Sequence, residues 1–349
     1  MPLPRPQPLL PALAVLLLLA LGCRGHSQPP QAPGSGSAAA TASPATATPA
    51  APAPASPAPA ALPQLPQDPA LPRMADGRHY PLLPGDDAAL ATLLADLERV
   101  LREPGTPDAA LPALAHQQQV IYRVLAHRPD RAARVRTALP VRWQPVFDRH
   151  LRARRAFLAM HRADARPGRV PAWRIRRPEA PERLLSHYRA AAAATGIPWE
   201  VLAAVNLVES GMGRIDGVSV ADAHGPMQFL PSTWAEPGIG RGGDIRDPET
   251  AIHAAARYLV RRGGLRDLRR GLWGYNNSDL YGTGVLEYAA LLRADPTAYR
   301  GLYHWEVHYA AVGGDLWLPV GYEQSRPLPV AAYLRQQPAS APPPGSSGY

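Results

Sequence analysis

A long stretch near the N-terminus, residues 25–72, sets the first limit on what this chain can fold into. It consists mainly of Ala, Pro, Ser, Thr, Gly and Gln, its sole charged side chain is Asp68, and the first aromatic residue of the chain is Tyr80. Such a composition buries too little apolar surface to offset the entropy lost on ordering. We therefore expect the folded body to extend from near Arg73 to near Arg335, about 260 residues, which is enough for a sizeable core.

The charged residues and the single cysteine exclude several classes of protein. The chain has 37 basic residues against 28 acidic ones, a formal net charge of +9, and every basic residue is Arg. Positive charge favours anionic polymers or lipids as neighbours, but a nucleic-acid-binding protein needs a recognised module or a basic stripe with stacking aromatics, and we find neither. One Cys rules out a disulfide framework and a multi-Cys metal site. We expect no nucleic acid partner, no metal and no cofactor, and the sequence does not identify protein partners.

The first 23 residues have the pattern of a lipoprotein signal peptide. Arg5 precedes an apolar run over residues 9–21, which is too short to span a bilayer core of roughly 30 Å and fits a signal-peptide apolar region. The run ends in Ala20-Leu21-Gly22-Cys23, which resembles a bacterial lipobox with Ala20 in place of the more usual Leu. We expect lipidation of Cys23 and anchoring to the outer face of the cytoplasmic membrane or the cell envelope. An ordinary secretory signal, giving a secreted protein, is the alternative.

The rest of the chain divides by composition into four regions. We expect a disordered Pro/Ala-rich tether over residues 24–72, a helical N-terminal region over 73–165, a second, mainly helical domain over 166–335 and a disordered tail over 336–349. Apolar residues recur at helical spacing and predict helices over about residues 90–101, 112–127, 141–162, 181–195 and 198–210.

Near the C-terminus the pattern changes from helical spacing to strict alternation. Tyr303, Trp305, Val307 and Tyr309 alternate with His304, Glu306 and His308, and Gly313-Gly314 follow, which predicts a β-hairpin. We expect the histidines to face solvent. Zinc bound by His304 and His308 is the alternative, but the spacing is not that of a helical zinc motif.

Glu209 is the first candidate for chemistry. It ends a nearly apolar helical segment, Val205-Asn206-Leu207-Val208-Glu209. Apolar neighbours favour the protonated form of a carboxyl near neutral pH, which is the form that a general acid requires. A Glu at a helix end is more often a solvated surface group, so this position alone is weak evidence.

Three later segments strengthen the case for Glu209. They are Gly225-Pro226-Met227-Gln228-Phe229-Leu230-Pro231-Ser232-Thr233-Trp234, the Ala-rich segment 251–259 behind Asp247-Pro248, and Tyr275-Asn276-Asn277-Ser278-Asp279-Leu280-Tyr281. With Glu209-Ser210, their order resembles that of lytic transglycosylases of the lysozyme-like superfamily, over roughly residues 181–322. The chain is most similar to the soluble and membrane-bound B-type SLT enzymes, and in particular to exported actinobacterial members.

The resemblance implies a mainly α fold: a lysozyme-like helical catalytic domain over residues 166–335, a helical N-terminal extension and the C-terminal β-hairpin. It implies cleavage of the β-1,4 bond between N-acetylmuramic acid (MurNAc) and N-acetylglucosamine (GlcNAc) in peptidoglycan without water, forming 1,6-anhydro-MurNAc ends. Glu209 would be the single acid/base, and no cofactor is implied. The implied substrate-binding residues are Ser210, Met227, Gln228, Tyr275, Asn276 and Tyr281. For Phe229, Trp234 and Tyr258 we expect core positions, and for Asp247 a helix N-cap.

One departure from the family leaves alternatives open. Asp222 stands where these enzymes more often have Gly, which puts the local backbone in doubt because Gly permits positive φ. With Asp216, it also supplies a candidate second carboxylate, so a hydrolytic muramidase is an alternative. A catalytically weak wall-binding lipoprotein is a further alternative, which predicts loss of the acid, yet Glu209 is present.

Overall fold

A computed structural model of the chain describes residues 61–160 and 166–343. The predicted signal peptide, Cys23 and the first part of the predicted tether lie outside the described residues, as do residues 344–349 of the predicted tail. The structure is 53% helical, with twelve helices and only small strand pairs in the part described. The predicted mainly α class is therefore confirmed. Within the same ranges, no helix is both long and apolar enough to cross a membrane.

The helices and strands follow one another as short, mostly amphipathic elements. The helices are α1 Asp87–Val100, α2 Leu111–Ala126, α3 Pro129–Ala138, α4 Gln144–Met160, α5 Pro181–Thr195, α6 Trp199–Ser210, α7 Pro231–Trp234, α8 Pro248–Arg261, α9 Leu268–Tyr275, α10 Asp279–Ala294, α11 Ala298–Tyr303 and α12 Val330–Gln336. The strands form three antiparallel pairs: β1 Arg169–Val170 with β6 Leu328–Pro329, β2 Arg174–Ile175 with β3 Ile215–Asp216, and β4 Val307–Ala311 with β5 Gly314–Leu318.

Several helix ends follow directly from local chemistry. The Asp86 carboxylate accepts the Ala89 backbone N–H at the start of α1, and the Asp247 carboxylate accepts the Thr250 N–H at the start of α8. The predicted N-cap role of Asp247 is thus confirmed. Gly196 ends α5 with φ +81°, a left-handed conformation that favours glycine.

One apolar core runs through both of the predicted helical regions. Leu94 of α1 and Ile121 of α2 lie in the same buried cluster as Leu202 of α6. Helices α4 and α10 approach closely because position 284 is Gly: a Cβ there would lie 2.3 Å from the ring of Phe157. The N-terminal helices and the region from residue 166 onward therefore do not have separate cores.

The predicted C-terminal hairpin is present as β4–β5, but its faces differ from the prediction. Val307 pairs with Leu318, and Ala311 with Gly314, whereas Tyr303 belongs to α11. His308 is 7% exposed because α2 covers the face that was expected to meet solvent.

A buried histidine pair joins this hairpin to α2. The Nε2 atoms of His308 and His116 lie 3.0 Å apart, and His308 Nδ1 lies 3.1 Å from Asp315 Oδ2. The prediction of a solvent-facing His308 is therefore wrong. Within the described ranges, no group of three or more His, Cys, Asp or Glu side chains could hold a metal ion.

The predicted boundaries of the tether and tail also need correction. Leu65 packs against the main core, and Gln67 Oε1 lies 3.0 Å from His79 Nε2, so ordered contacts begin before residue 73. At the other end, Ala339 and Ser340 are buried, and the Ser340 hydroxyl lies 2.7 Å from that of Tyr333. Both segments gain order by covering apolar surface of the body.

Candidate active site

Glu209 lies in the last turn of α6, the most deeply buried helix near the site. Every residue from Val201 to Ser210 is buried, and Glu209 itself is 2% exposed. Burial disfavours the charged carboxylate and raises the pKa of Glu209 to about 8. The side chain is therefore mostly protonated at neutral pH, as the sequence predicts for a carboxyl among apolar neighbours.

The two carboxyl oxygens of Glu209 have different surroundings. The hydroxyl of Tyr281 donates a hydrogen bond to Oε1 at 2.6 Å. Oε2 is buried and has no hydrogen-bond partner among the described residues. Because Tyr281 donates to Oε1, we assign the proton of the neutral carboxyl to Oε2. The hydrogen bond from Tyr281 lowers the pKa of Glu209, but burial has the larger effect.

Two tyrosines from successive helices close one side of this carboxyl. Tyr275 ends α9 and Tyr281 lies in the first turn of α10, with their rings nearly parallel at 6.4 Å between centroids. The Tyr275 hydroxyl donates to the Met227 carbonyl at 2.7 Å, which ties α9 to the loop before α7. Asn276 is the C-cap of α9 and is 6% exposed.

The loop over residues 219–229, here called the Met-Gln loop, is held against α6 by hydrogen bonds from two α6 side chains. The carbonyl of Pro226 accepts hydrogen bonds from the Ser210 hydroxyl at 2.5 Å and from the side-chain amide of Asn206 at 2.7 Å. Ser210, implied by the resemblance to contact substrate, is fully buried beneath the loop and holds it in place. Asn206 was missed by the sequence reasoning, although a buried Asn in an apolar helix three residues before Glu209 is a detectable signal.

The Met-Gln loop adopts a backbone that few residues tolerate. Gly225 has φ +74°, and a Cβ there would lie 1.9 Å from the Ile245 carbonyl oxygen. Gln228 has φ +47°, and its side-chain amide donates to the Gly225 carbonyl at 2.9 Å. Met227 is fully buried. Non-glycine residues at positive φ concentrate at functional sites, and Met212, Asp222 and Gln228 flank this one.

Both candidate second carboxylates are already engaged. Asp222 has φ +64°, so this position does require the left-handed conformation that Gly would supply in related enzymes. Its Oδ1 lies 2.9 Å from His224 Nε2. Asp216 Oδ2 forms ion pairs with Arg174 at 2.9 Å and with Arg176 at 2.7 Å.

The aromatic residues expected in the core occupy it. Phe229 and Tyr258 are each 3% exposed, and Trp234 is partly buried against the same cluster. The Phe229 ring contacts Trp234, Tyr258 and Tyr275 at centroid distances of 5.4–5.9 Å. These rings pack around Phe229 and so hold the end of the Met-Gln loop in the core.

A buried acid, a tyrosine that donates a hydrogen bond to it and a glycine-dependent loop lie side by side in this helical body. Residues 186–280 match the family model described as Transglycosylase SLT domain. This match, over about a quarter of the chain, supports the predicted resemblance to lytic transglycosylases of the lysozyme-like superfamily. The matched segment contains Glu209, the Met-Gln loop and Tyr275, and it ends one residue before Tyr281. No match was found among curated proteins or among solved structures.

Proposed function

We propose that this protein cleaves the β-1,4 bond between MurNAc and GlcNAc in peptidoglycan, with Glu209 as the single acid and base and a 1,6-anhydro-MurNAc end as the product. The observation that carries the proposal is the state of the Glu209 carboxyl: buried, protonated at neutral pH, and fixed through Oε1 by Tyr281. Its Oε2 is left to exchange a proton with substrate.

The reaction uses the same oxygen twice. Oε2 donates its proton to the glycosidic oxygen as the bond from that oxygen to C1 of MurNAc breaks, which releases the GlcNAc side as an alcohol. The resulting carboxylate is stabilised by the hydrogen bond from Tyr281. It then accepts the proton of the MurNAc C6 hydroxyl while that oxygen bonds to C1. Glu209 donates one proton and takes one back, and no water takes part. A second carboxylate is therefore unnecessary, whereas ordinary glycosidases use two.

The decisive variant is Glu209→Gln, which keeps the size of the side chain and removes the transferable proton. We expect turnover of purified sacculi to fall toward the upper end of the 10²–10⁴-fold range typical of general acid–base catalysis, because one residue holds both roles. Thermal unfolding is the control: the variant should be at least as stable as the wild type, since it removes a carboxyl whose charged form is costly to bury. A folded variant that keeps more than about a tenth of the activity would contradict the proposal.

The product identifies the reaction type. We expect mass spectrometry of the digested glycan to find 1,6-anhydro ends throughout. Free reducing ends would instead support a hydrolytic muramidase in which Asp222 or Asp216 positions water. Absence of cleavage by a folded wild-type protein that still binds sacculi would support a wall-binding lipoprotein.

We further propose that the protein is exported and anchored by a lipid on Cys23. The support is the apolar run of residues 9–21 ending in Ala20-Leu21-Gly22-Cys23. We expect Cys23→Ala to move the protein from the membrane fraction to the soluble fraction, with unchanged activity per folded molecule. A variant that remains in the membrane fraction would show that the anchor lies elsewhere.

A further inference from the structure

Three polar side chains on and beside the Met-Gln loop take no part in the mechanism above. Arg246 Nη2 lies 3.2 Å from His224 Nδ1, and His224 Nε2 lies 2.9 Å from Asp222 Oδ1. A guanidinium can only donate, so Nδ1 of His224 accepts and its Nε2–H donates to Asp222. The imidazole therefore connects a cation and an anion through two directed hydrogen bonds. We call this set the polar strip.

The polar strip is fixed to the catalytic loop by backbone contacts. His224 and Phe229 exchange two backbone hydrogen bonds, at 2.8 and 2.9 Å, across the turn that contains Met227. Gly225 lies against the Ile245 carbonyl, immediately before Arg246. The strip consequently keeps its position relative to the loop that Ser210 and Asn206 hold beside Glu209.

The ends of the strip are open to solvent. The Asp222 side chain is 72% exposed, and Arg246 is exposed, whereas His224 between them is 18% exposed. Asp222 also holds φ +64°, a left-handed conformation that is more strained for Asp than for Gly. Asp222 thus keeps an exposed, oriented carboxylate at a position where Gly would be free of that strain.

Charge chemistry identifies the part of the substrate that fits. An N-acetylated glycan strand carries no charge of its own, and the ionic groups of peptidoglycan, carboxylates and amines, lie on its peptide stems. We propose that the polar strip docks the peptide stem of the glycan that Glu209 cleaves, Arg246 binding a stem carboxylate and Asp222 a stem ammonium group. The inference rests on the proposed function, because it assumes peptidoglycan in the cleft.

The kinetic test compares two substrates from one preparation: stem-bearing glycan, and the same glycan stripped of its stems by an amidase. The lactyl carboxylates that the amidase exposes on MurNAc are converted to neutral amides, so that the stripped glycan carries no charge. We expect Arg246→Ala to lower the ratio of kcat/KM on stem-bearing to stripped glycan about 3- to 10-fold, the scale of one charged hydrogen bond at a partly exposed site. Asp222→Gly, which also relieves the backbone, should lower the same ratio. Arg241→Gly is the matched control, since it removes an exposed arginine at positive φ from the same connection between α7 and α8 and should leave the ratio unchanged.

A binding measurement separates failure of this inference from failure of the proposed function. Arg246→Ala is placed in a Glu209→Gln background, and co-sedimentation with both glycans is measured. We expect weaker binding, again about 3- to 10-fold, to stem-bearing glycan alone. Equal losses on both glycans, or no loss on either, would overturn stem recognition even in an active enzyme. If wild type and Glu209→Gln are equally inactive but the stem-specific binding loss remains, the catalytic proposal fails and the docking proposal stands.

Discussion

At the scale of the single residue, burial raises the pKa of Glu209, and the hydrogen bond from Tyr281 makes its two carboxyl oxygens different. Its position after an apolar segment predicts desolvation, and the structure places the carboxyl at 2% exposure. The contact with Tyr281 could not be predicted in the same way, because the two residues are 72 positions apart and meet only through the packing of α6 and α10.

The pH dependence of the reaction should report this carboxyl. With the Glu209 pKa at about 8, the acid form dominates below pH 8 and falls tenfold per pH unit well above it, so kcat/KM should decline on the alkaline side near that value. Tyr281→Phe removes the hydrogen bond that favours the carboxylate, so the Glu209 pKa rises and the decline moves to higher pH. Tyr258→Phe is the matched control, since its hydroxyl donates to the Gly274 carbonyl. An unchanged profile in Tyr281→Phe would contradict this assignment.

At the scale of the element, the conformation of the Met-Gln loop depends more on Gly225 than on the exposed side chains of the loop. In Gly225→Ala, the new Cβ would meet the Ile245 carbonyl at 1.9 Å, and φ +74° would be strained as well. We expect a loss of more than about 2 kcal/mol in the free energy of unfolding and a large loss of activity, because Pro226 and Met227 would shift.

Gly238→Ala gives a matched comparison for Gly225→Ala. Gly238 has φ +78°, close to that of Gly225, but a Cβ there would meet nothing within 4 Å. Only the backbone strain of about 1–2 kcal/mol should appear, measured by chemical denaturation. Equal destabilisation by both substitutions would mean that the contact with Ile245 is unimportant.

Elements with a clear apolar stripe could be predicted from the sequence, and those without one could not. Apolar residues at helical spacing predict a helix over about residues 90–101, and the observed α1 spans Asp87–Val100. Helix α3 was missed because Ala132 and Val135 are its only buried residues, too few to form a stripe. In β4, the alternation rule fails over residues 307–309 because both faces are covered there, so the polar side chain of His308 is buried as well, whereas Ala310 is exposed.

At the scale of the whole molecule, a buried ionic network joins the first and last parts of the fold. Arg123 of α2 pairs with Asp315 of β5, whose backbone carbonyl also accepts the Tyr80 hydroxyl at 2.9 Å. His116 and His308 lie in the same network. No local pattern could predict it, because its members are about 190 to 235 positions apart in sequence and become neighbours only after folding.

This network should make the fold sensitive to acid. Burial is the largest cause of the lowered pKa of both His116 and His308. The nearby guanidinium of Arg123 lowers both pKa values further, whereas the carboxylate of Asp315 raises them. The cations Arg78, which faces His116, and Arg154, which faces His308, act in the same direction as Arg123. The unfolded chain binds these protons near pH 6.5 and the folded chain does not, so stability is full above that pH and falls as the pH drops below it.

The test is the pH dependence of the free energy of unfolding between pH 7.5 and 5. His116→Gln removes one such group and keeps a donor for His308, so the loss of stability over this range should shrink by about 1–2 kcal/mol. His127, His150 and His304 also have lowered pKa values, so part of the dependence will remain. His187→Gln, which removes a histidine paired with Glu179 away from the network, is the control. If the free energy of unfolding of His116→Gln fell with pH as steeply as that of the wild type, the histidine pair would not be a source of the acid sensitivity.

Because the core is shared, it can be completed only after the last segments of the chain have been synthesised. Synthesis supplies α1 first and the β4–β5 hairpin almost last, yet Trp305 belongs to the same buried cluster as Leu94, and Val307 packs beside Gly211 at the end of the helix that carries Glu209. A growing chain can therefore contain every residue of the SLT match and still lack the surface that supports it. The environment of Glu209 is therefore expected to be complete only when the last segments reach the body.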